Sequence, residues 1–262
     1  MTLLFAVRDL VWKHPGSDLP SLNRLTCDIQ KGVVTAIKGR SGSGKTTFLQ
    51  VLAGFWEEKP DSGSILFRDP GNGVDCLYEK LSRRVRAEIR AQFGYILQNH
   101  TVFPHLPAWM NISLPLLWAG WGEAVCRQRS LILCQLVDQY IGAGDADTLT
   151  NKMDRSAGEL STGQKQRIGI LRAIASDPLV VFADEPTSNL DCDTANAAFL
   201  LLQLWKNGQI EGVSDPSRGH RSLLIINHNL NQMVGNEILR VDQWLHFEGG
   251  TVREGNPPEI IP

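Results

Sequence analysis

The amino-acid sequence predicts an α/β fold, and three observations lead there. A β-branched apolar run, Val33-Val34-Thr35-Ala36-Ile37, feeds a glycine-rich loop, Gly39-Arg40-Ser41-Gly42-Ser43-Gly44-Lys45-Thr46-Thr47, and a helical run from Phe48 to Ala53 leaves it. A second apolar run, Leu179 to Ala183, ends in two adjacent acids, Asp184-Glu185. A third, Ser222 to Asn227, ends at His228. Runs that are apolar on both faces suit strands covered by helices on each side, and in such sheets the chemistry gathers at the carboxyl ends of the strands.

Composition bounds the reading. With 262 residues, 42% of them hydrophobic and 21% charged, the chain suits one large globular domain, or a domain with a subdomain. A net charge of −2 gives no whole-protein attraction to nucleic acid, and none is expected as a partner. The five cysteines (Cys27, Cys76, Cys126, Cys134, Cys192) include no C-x-x-C pair, so neither a zinc site nor a disulfide framework is indicated, and a reducing cytosol is the simplest home. The first residues lack the basic segment of a secretory signal. No apolar run approaches the ~18 residues of a membrane span. Any membrane role therefore requires a second chain.

In chain order, Leu3 to Val11 and Leu25 to Ile29 read as strands, with Gln30-Lys31-Gly32 turning into the glycine loop. Trp12 lies 27 positions before Gly39. It reads equally as a core aromatic or as a platform on which an adenine stacks. The loop matches the phosphate-binding pattern G-x-x-x-x-G-K-[ST]. Its glycines let successive N–H groups turn inward, and the helix N-terminus adds its positive end. Lys45 would bridge the β- and γ-phosphates, and the Thr46 hydroxyl would bind Mg2+.

Ser64 to Phe67 reads as a short strand, and Leu81, Val85 and Ile89 mark an amphipathic helix whose arginines (Arg83, Arg84, Arg86, Arg90) read as a solvated face. Phe93 to Leu97 is a strand ending at Gln98. Residues 99–159 then change character. They hold Trp109, Met110, Trp118 and Trp121, three prolines, and a helical run from Val125 to Ile141, and are expected to form an inserted helical subdomain. Within it, Asn151-Lys152-Met153-Asp154 formally matches a guanine-reading motif, but it precedes the paired acids and follows no strand, so it is rejected. Asn111-Ile112-Ser113 is a nominal glycosylation sequon without meaning in cytosol.

Leu160-Ser161-Thr162-Gly163-Gln164 opens a helix running through Ile174. Ser161 and Gln164 have capping-box spacing, and the same helix end suits a second phosphate contact. At the end of the following strand, Asp184 can hold Mg2+ through water, and Glu185 can orient or deprotonate an attacking water. Ser188-Asn189-Leu190-Asp191 is a turn, and residues 206–221 a long loop of no evident purpose. Glu237 to Val241, Trp244 to Phe247 and Thr251 to Arg253 read as closing strands.

Taken in order, these segments resemble the ATP-binding cassette (ABC) ATPase family over nearly the whole chain. The resemblance implies an α/β P-loop NTPase (RecA-like) core with an antiparallel β subdomain and an inserted α-helical subdomain. It implies one domain over 1–262, with 1–98 and 160–262 forming core and β subdomain and 99–159 the helical part. It implies ATP and Mg2+ as ligands. Position by position, Trp12 is similar to the adenine-stacking aromatic, and Gly39 to Thr47 to the Walker A loop. Gln98 resembles the Q-loop glutamine, sensing Mg2+ and the attacking water. Leu160 to Gln164 resembles the signature motif, with Ser161 and Gly163 intact and Thr162 where glycine is usual. Asp184 and Glu185 resemble the Walker B aspartate and catalytic glutamate, Asp191 the D-loop, and His228 the H-loop switch.

In that family each site is split between two chains, so this chain is expected to dimerise with itself or a related cassette. Within the family, Phe182 to Asp191 and the Asn111 to Leu117 segment look like the branch of lipoprotein-release, macrolide-export and cell-division ATPases. The expected role is the energy subunit of a transporter at the cytoplasmic face of the cell membrane, bound to transmembrane permease subunits. The alternatives are a division or regulatory ATPase, or a soluble member acting in DNA repair or translation. The last usually carries two cassettes, a coiled-coil insertion or basic segments, none of which is evident here.

Overall fold

The computed structural model describes residues 2–56, 58–69, 73–98, 102–141, 148–188, 190–219, 221–227 and 239–255. Two sheets are formed among the described residues. The first is antiparallel, in the order β2-β1-β4-β5, from β1 (Leu3–Trp12), β2 (Leu22–Gln30), β4 (Ser62–Arg68) and β5 (Asp75–Leu77). The second has six strands in the order β10-β9-β3-β8-β7-β6. Its members are β3 (Val34–Gly39), β6 (Phe93–Ile96), β7 (Val180–Asp184), β8 (Ser222–Ile226), β9 (Gln243–Glu248) and β10 (Thr251–Gly255). All its neighbours pair in parallel except the β9–β10 hairpin.

Every residue of β7 and β8 is buried, as their unbroken apolar runs require of strands covered on both faces. The sheets meet through aromatics. Phe182 of β7 lies 6.2 Å from Phe5 of β1 and 5.2 Å from Phe93 of β6, centroid to centroid. Gly94 of β6 is confined by helix backbone instead: a Cβ there would sit 2.0 Å from the Ala173 carbonyl oxygen. The strands at the amino end run longer than expected, β2 beginning at Leu22. Of the expected strand from Glu237 to Val241, residues 239–241 are not strand, and the rest lies outside the described residues.

Six helices accompany the sheets among the described residues: α1 (Lys45–Leu52), α2 (Arg83–Arg90), α3 (Ala108–Trp118), α4 (Glu123–Ile141), α5 (Thr162–Ala175) and α6 (Cys192–Lys206). Helix α3 holds Pro115 in its interior. A proline there donates no bond to the carbonyl four residues back, here Asn111. Arg172 of α5 supplies the missing donor, its Nε lying 2.9 Å from the Asn111 oxygen. The Asn111 side chain is fully buried and bonded to both the N–H and the carbonyl of Phe103, so the nominal sequon is structural. The rejected guanine-motif segment is likewise structural, with Asp154 paired to Arg127 at 2.6 Å. The arginines of α2 serve local structure too: Arg86 donates to the Tyr78 carbonyl and Arg90 to that of Gly54.

The 206–221 segment folds back on the α5–β7 turn. Arg221 grips Asp177 with two bonds of 2.7 and 2.8 Å, both side chains being almost wholly buried. Asp177 Oδ2 also accepts the Asp215 N–H, and Arg129 of α4 donates to the carbonyls of Ala175 and Val213. Removing one member of such a pair strands the other charge in the interior. Arg221→Ala is expected to lower the free energy of unfolding by about 3–5 kcal/mol, and Arg221→Met combined with Asp177→Leu by much less, as urea titrations of both chains would measure.

Candidate functional site

Strand β3 delivers the chain into the glycine loop, and α1 leaves it at Lys45. Glycine is required at two positions. Gly44, with φ of +97°, caps α1, and a Cβ there would lie 2.5 Å from the Ser21 carbonyl oxygen. At Gly39 a Cβ would meet the Phe247 oxygen at 2.4 Å. The loop lines a cavity of about 280 Å³ together with Lys45, Thr46, Thr47, Gln98 and Glu185. Gly39 and Arg40 instead face a neighbouring recess under the β9–β10 hairpin, shared with Ser41, Gly42 and Ser43.

Lys45 Nζ donates to the Gly39 and Arg40 carbonyls at 2.8 Å each, which holds the ammonium against the loop. Burial lowers its pKa, while the charges of Glu185 and Asp184 oppose the shift. Asp184, the last residue of β7, is 3% exposed. Burial raises its pKa, and a hydrogen bond from Thr46 acts in the opposite sense. Its Oδ1 is buried with no hydrogen-bond partner among the described residues. A hydroxyl beside a buried carboxylate with one unused oxygen is an oxygen donor set that fits Mg2+.

Glu185 follows in a left-handed conformation, φ +48°, which costs a non-glycine residue roughly 1–2 kcal/mol. Its N–H is held by the Ile226 carbonyl at 2.9 Å, and Gln98 Nε2 donates to its Oε2 at 3.1 Å. The structure thus brings Lys45, Thr46, Asp184, Glu185 and Gln98 to one carboxyl edge of the sheet.

Other expected residues fall elsewhere. Ser161 caps α5, its Oγ accepting the Gln164 N–H at 3.3 Å while Gln164 Oε1 accepts the Ser161 N–H at 3.1 Å. Both halves of the capping box are present. Gln164 is buried and shapes this turn, whereas Ser161 and Thr162 are exposed. None of Ser161, Gly163 and Gln164 lines the loop cavity. Asp191 caps α6 through the Thr194 N–H and hydroxyl, both at 2.9 Å, and these bonds hold its carboxyl below the usual range. His228 lies outside the described residues.

Of its two expected readings, Trp12 takes the core position: it is 2% exposed, paired in register with Leu22 and packed 6.0 Å from Trp56. The half-buried His14 lies nearer the cavity, its Nε2 3.1 Å from Thr47 Oγ1 and its ring edge-on to Trp56. A lone histidine two residues past a strand carries no sequence signal. Nor do Gln166 and Asn227, whose side chains bond the Pro186 carbonyl and Thr187 Oγ1 just beyond Glu185.

The family model described as "ABC transporter" matches residues 22–188. The lipoprotein-releasing system ATP-binding protein LolD 2 of Caulobacter vibrioides is 36% identical over 204 residues, covering 76% of this chain and 81% of that protein. The methionine import ATP-binding protein MetN 1 of Rhodopseudomonas palustris is 34% identical over 191 residues, 73% of this chain and 46% of that protein. Among solved structures, the ATP-binding cassette MJ0796, in a dimeric post-hydrolysis state bound to ADP and Pi, superposes with a TM-score of 0.74. That match has 23% identity and covers 96% of this chain and 97% of that one.

The buried Asp184 gives a test with a definite sign. A carboxyl whose folded pKa is raised binds its proton more tightly in the native state, so stability rises as pH falls toward that pKa and is lower above it. Asp184→Asn removes the buried charge. In metal-free buffer the variant is expected to melt above the native chain at pH 7–8, with the gap closing as pH falls, which scanning fluorimetry across pH 4–8 would follow.

Proposed function

The chain belongs to the ABC transporter family, as an ATP-binding and ATP-hydrolysing subunit that drives a separate transmembrane partner, and on that premise we propose how its residues divide the work. The amides of Ser41 to Thr47 and the Lys45 ammonium bind the phosphates of ATP, within a frame set by Gly39 and Arg40. Thr46, Asp184 and Gln98 hold Mg2+, which supplies charge neutralisation at the phosphates when bound. Glu185 takes the proton of the attacking water, and Gln98 keeps its carboxylate oriented. His228 contacts the terminal phosphate. The observation that carries this reading is the Gln98–Glu185 bond of 3.1 Å on the wall of the loop cavity.

Two chains complete each site. Ser161 and Gly163 lie outside the chain's own cavity, on an exposed helix N-terminus suited to an anion from another copy or a related cassette. Gln164 and Asp191 fix the turns that present these surfaces.

The transmembrane partner is proposed to dock beside the end of α3. No described helix is long and apolar enough to cross a membrane. Of Trp109, Met110, Trp118 and Trp121, the first is core and the second half-buried, whereas Trp118 is 89% exposed and Trp121 44% exposed. Both line a groove with Arg90 and Arg218. Tryptophan and arginine are the side chains enriched at interface centres. Relatives of similar identity include lipoprotein-releasing and methionine-import subunits, so the partner decides the direction of transport.

Glu185→Gln is expected to lower kcat by about 10²–10⁴-fold while ATP still binds. Lys45→Ala is expected to weaken ATP binding itself, and His228→Ala to lower kcat. Full turnover by the Glu185→Gln chain would refute the assigned base. Affinity purification of that chain with ATP from detergent-solubilised cells identifies the partner. A few-span membrane protein with a large extracytoplasmic domain supports the lipoprotein-release branch, and a many-span permease supports ordinary transport. Ribosomes, DNA-repair proteins or no partner would overturn the transporter reading.

A further inference from the structure

Between β7 and α6 the chain carries its reacting carboxylate on backbone that a non-glycine residue rarely adopts, and such a conformation persists only where its surroundings over-determine it. The surroundings are visible. The Glu185 N–H is bonded to β8 through the Ile226 carbonyl, and the Glu185 carbonyl accepts the Ser188 N–H. Thr187 is tied to β8 again through Asn227. A further hold comes from a different element. Gln166 of α5 is fully buried, and its Nε2 donates to the carbonyl of Pro186, the residue next to Glu185.

We propose that Gln166 is a positioning residue for Glu185, and that it makes the N-terminal turn of α5 and the catalytic carboxylate one mechanical unit. The inference rests on Glu185 as the base. Gln166 lies two residues beyond Gln164, which closes the capping box with Ser161. A shift of that turn is carried through a rigid helix to the Gln166 amide, and from there to the Pro186 carbonyl. The Pro186 nitrogen cannot donate, so the backbone beside Glu185 is anchored on this side through its carbonyl. Because Ser161 faces outward while Glu185 lines the chain's own cavity, what touches the exposed cap of α5 alters the geometry of the base through Gln166.

The test separates positioning from mere stability. In the full chain, Gln166→Leu is expected to lower kcat about 10-fold while the KM for ATP stays within about 2-fold. In the Glu185→Gln chain the same change is expected to leave the residual single-turnover rate within about 2-fold, since a residue acting through the base has nothing left to position. If Gln166→Leu does not fold, Gln166→Met, unbranched and of similar length, carries the same comparison. Wild-type kcat in the folded variant, or equal losses in both backgrounds, would overturn the proposal. Full turnover by the Glu185→Gln chain alone would overturn the base assignment, and the role of Gln166 with it.

Discussion

The structure depends on one alignment: β3, β8 and β7 lie side by side and parallel, in register from Val34 opposite Leu223 and from Val180 opposite Ser222. Parallel neighbours end on the same edge. That edge therefore receives the glycine loop from β3, Asn227 from β8 and the two acids from β7, although these segments are far apart in sequence. Strands in such a sheet need covering on both faces, and the antiparallel sheet and the helices provide this. Phe182 shows the dependence directly: two residues before Asp184, it is packed against Phe5 and Phe93, so the position of the acids is set by aromatic contact beneath them.

The same edge concentrates groups that are unfavourable to bury. Lys45 and Asp184 are both almost covered, and burial moves each toward its neutral form. Glu185 adds a strained backbone. These terms oppose stability and favour a ligand that brings phosphate charge to Lys45 and a metal to Asp184. The compensation lies elsewhere, in the aromatic packing between the sheets and in polar anchors such as Arg221 on Asp177 and Arg172 on the Asn111 carbonyl. Local conflicts with folding rules thus gather at the edge proposed to bind ATP.

How much was legible in the sequence follows from the range of each interaction. The glycine loop, the acids after β7 and the Ser161 capping box are local: a few adjacent residues state the backbone geometry and its purpose. The apolar strands were legible for the same reason. Trp12 was not, because whether a ring faces the core or a ligand is decided by Leu22 and Trp56, which no spacing from Gly39 reveals. Helix α3 was obscured by Pro115, whose lost bond is made good by an arginine 61 residues beyond the stranded carbonyl. The 206–221 loop had no evident role because its anchors, Asp177 and Arg129, belong to other elements. Contacts of this kind carry no pattern within a window of sequence.

Thr162 joins these lines of argument. It stands at the first position of α5, directly after the Ser161 cap, where φ and ψ are already helical and a β-branched side chain fits without strain. A glycine at this position would leave the turn freer in the unfolded chain and less fixed in the folded one. Threonine therefore stiffens the turn that Gln164 closes and that Gln166 connects to Pro186. A stiffer turn transmits displacement more completely and is displaced less easily. The residue where this chain departs from the commonest signature thus sits at the cap of the helix that Gln166 ties to the backbone beside Glu185, the proposed base, and its effect is expected in the rate of hydrolysis before it appears in the binding of nucleotide.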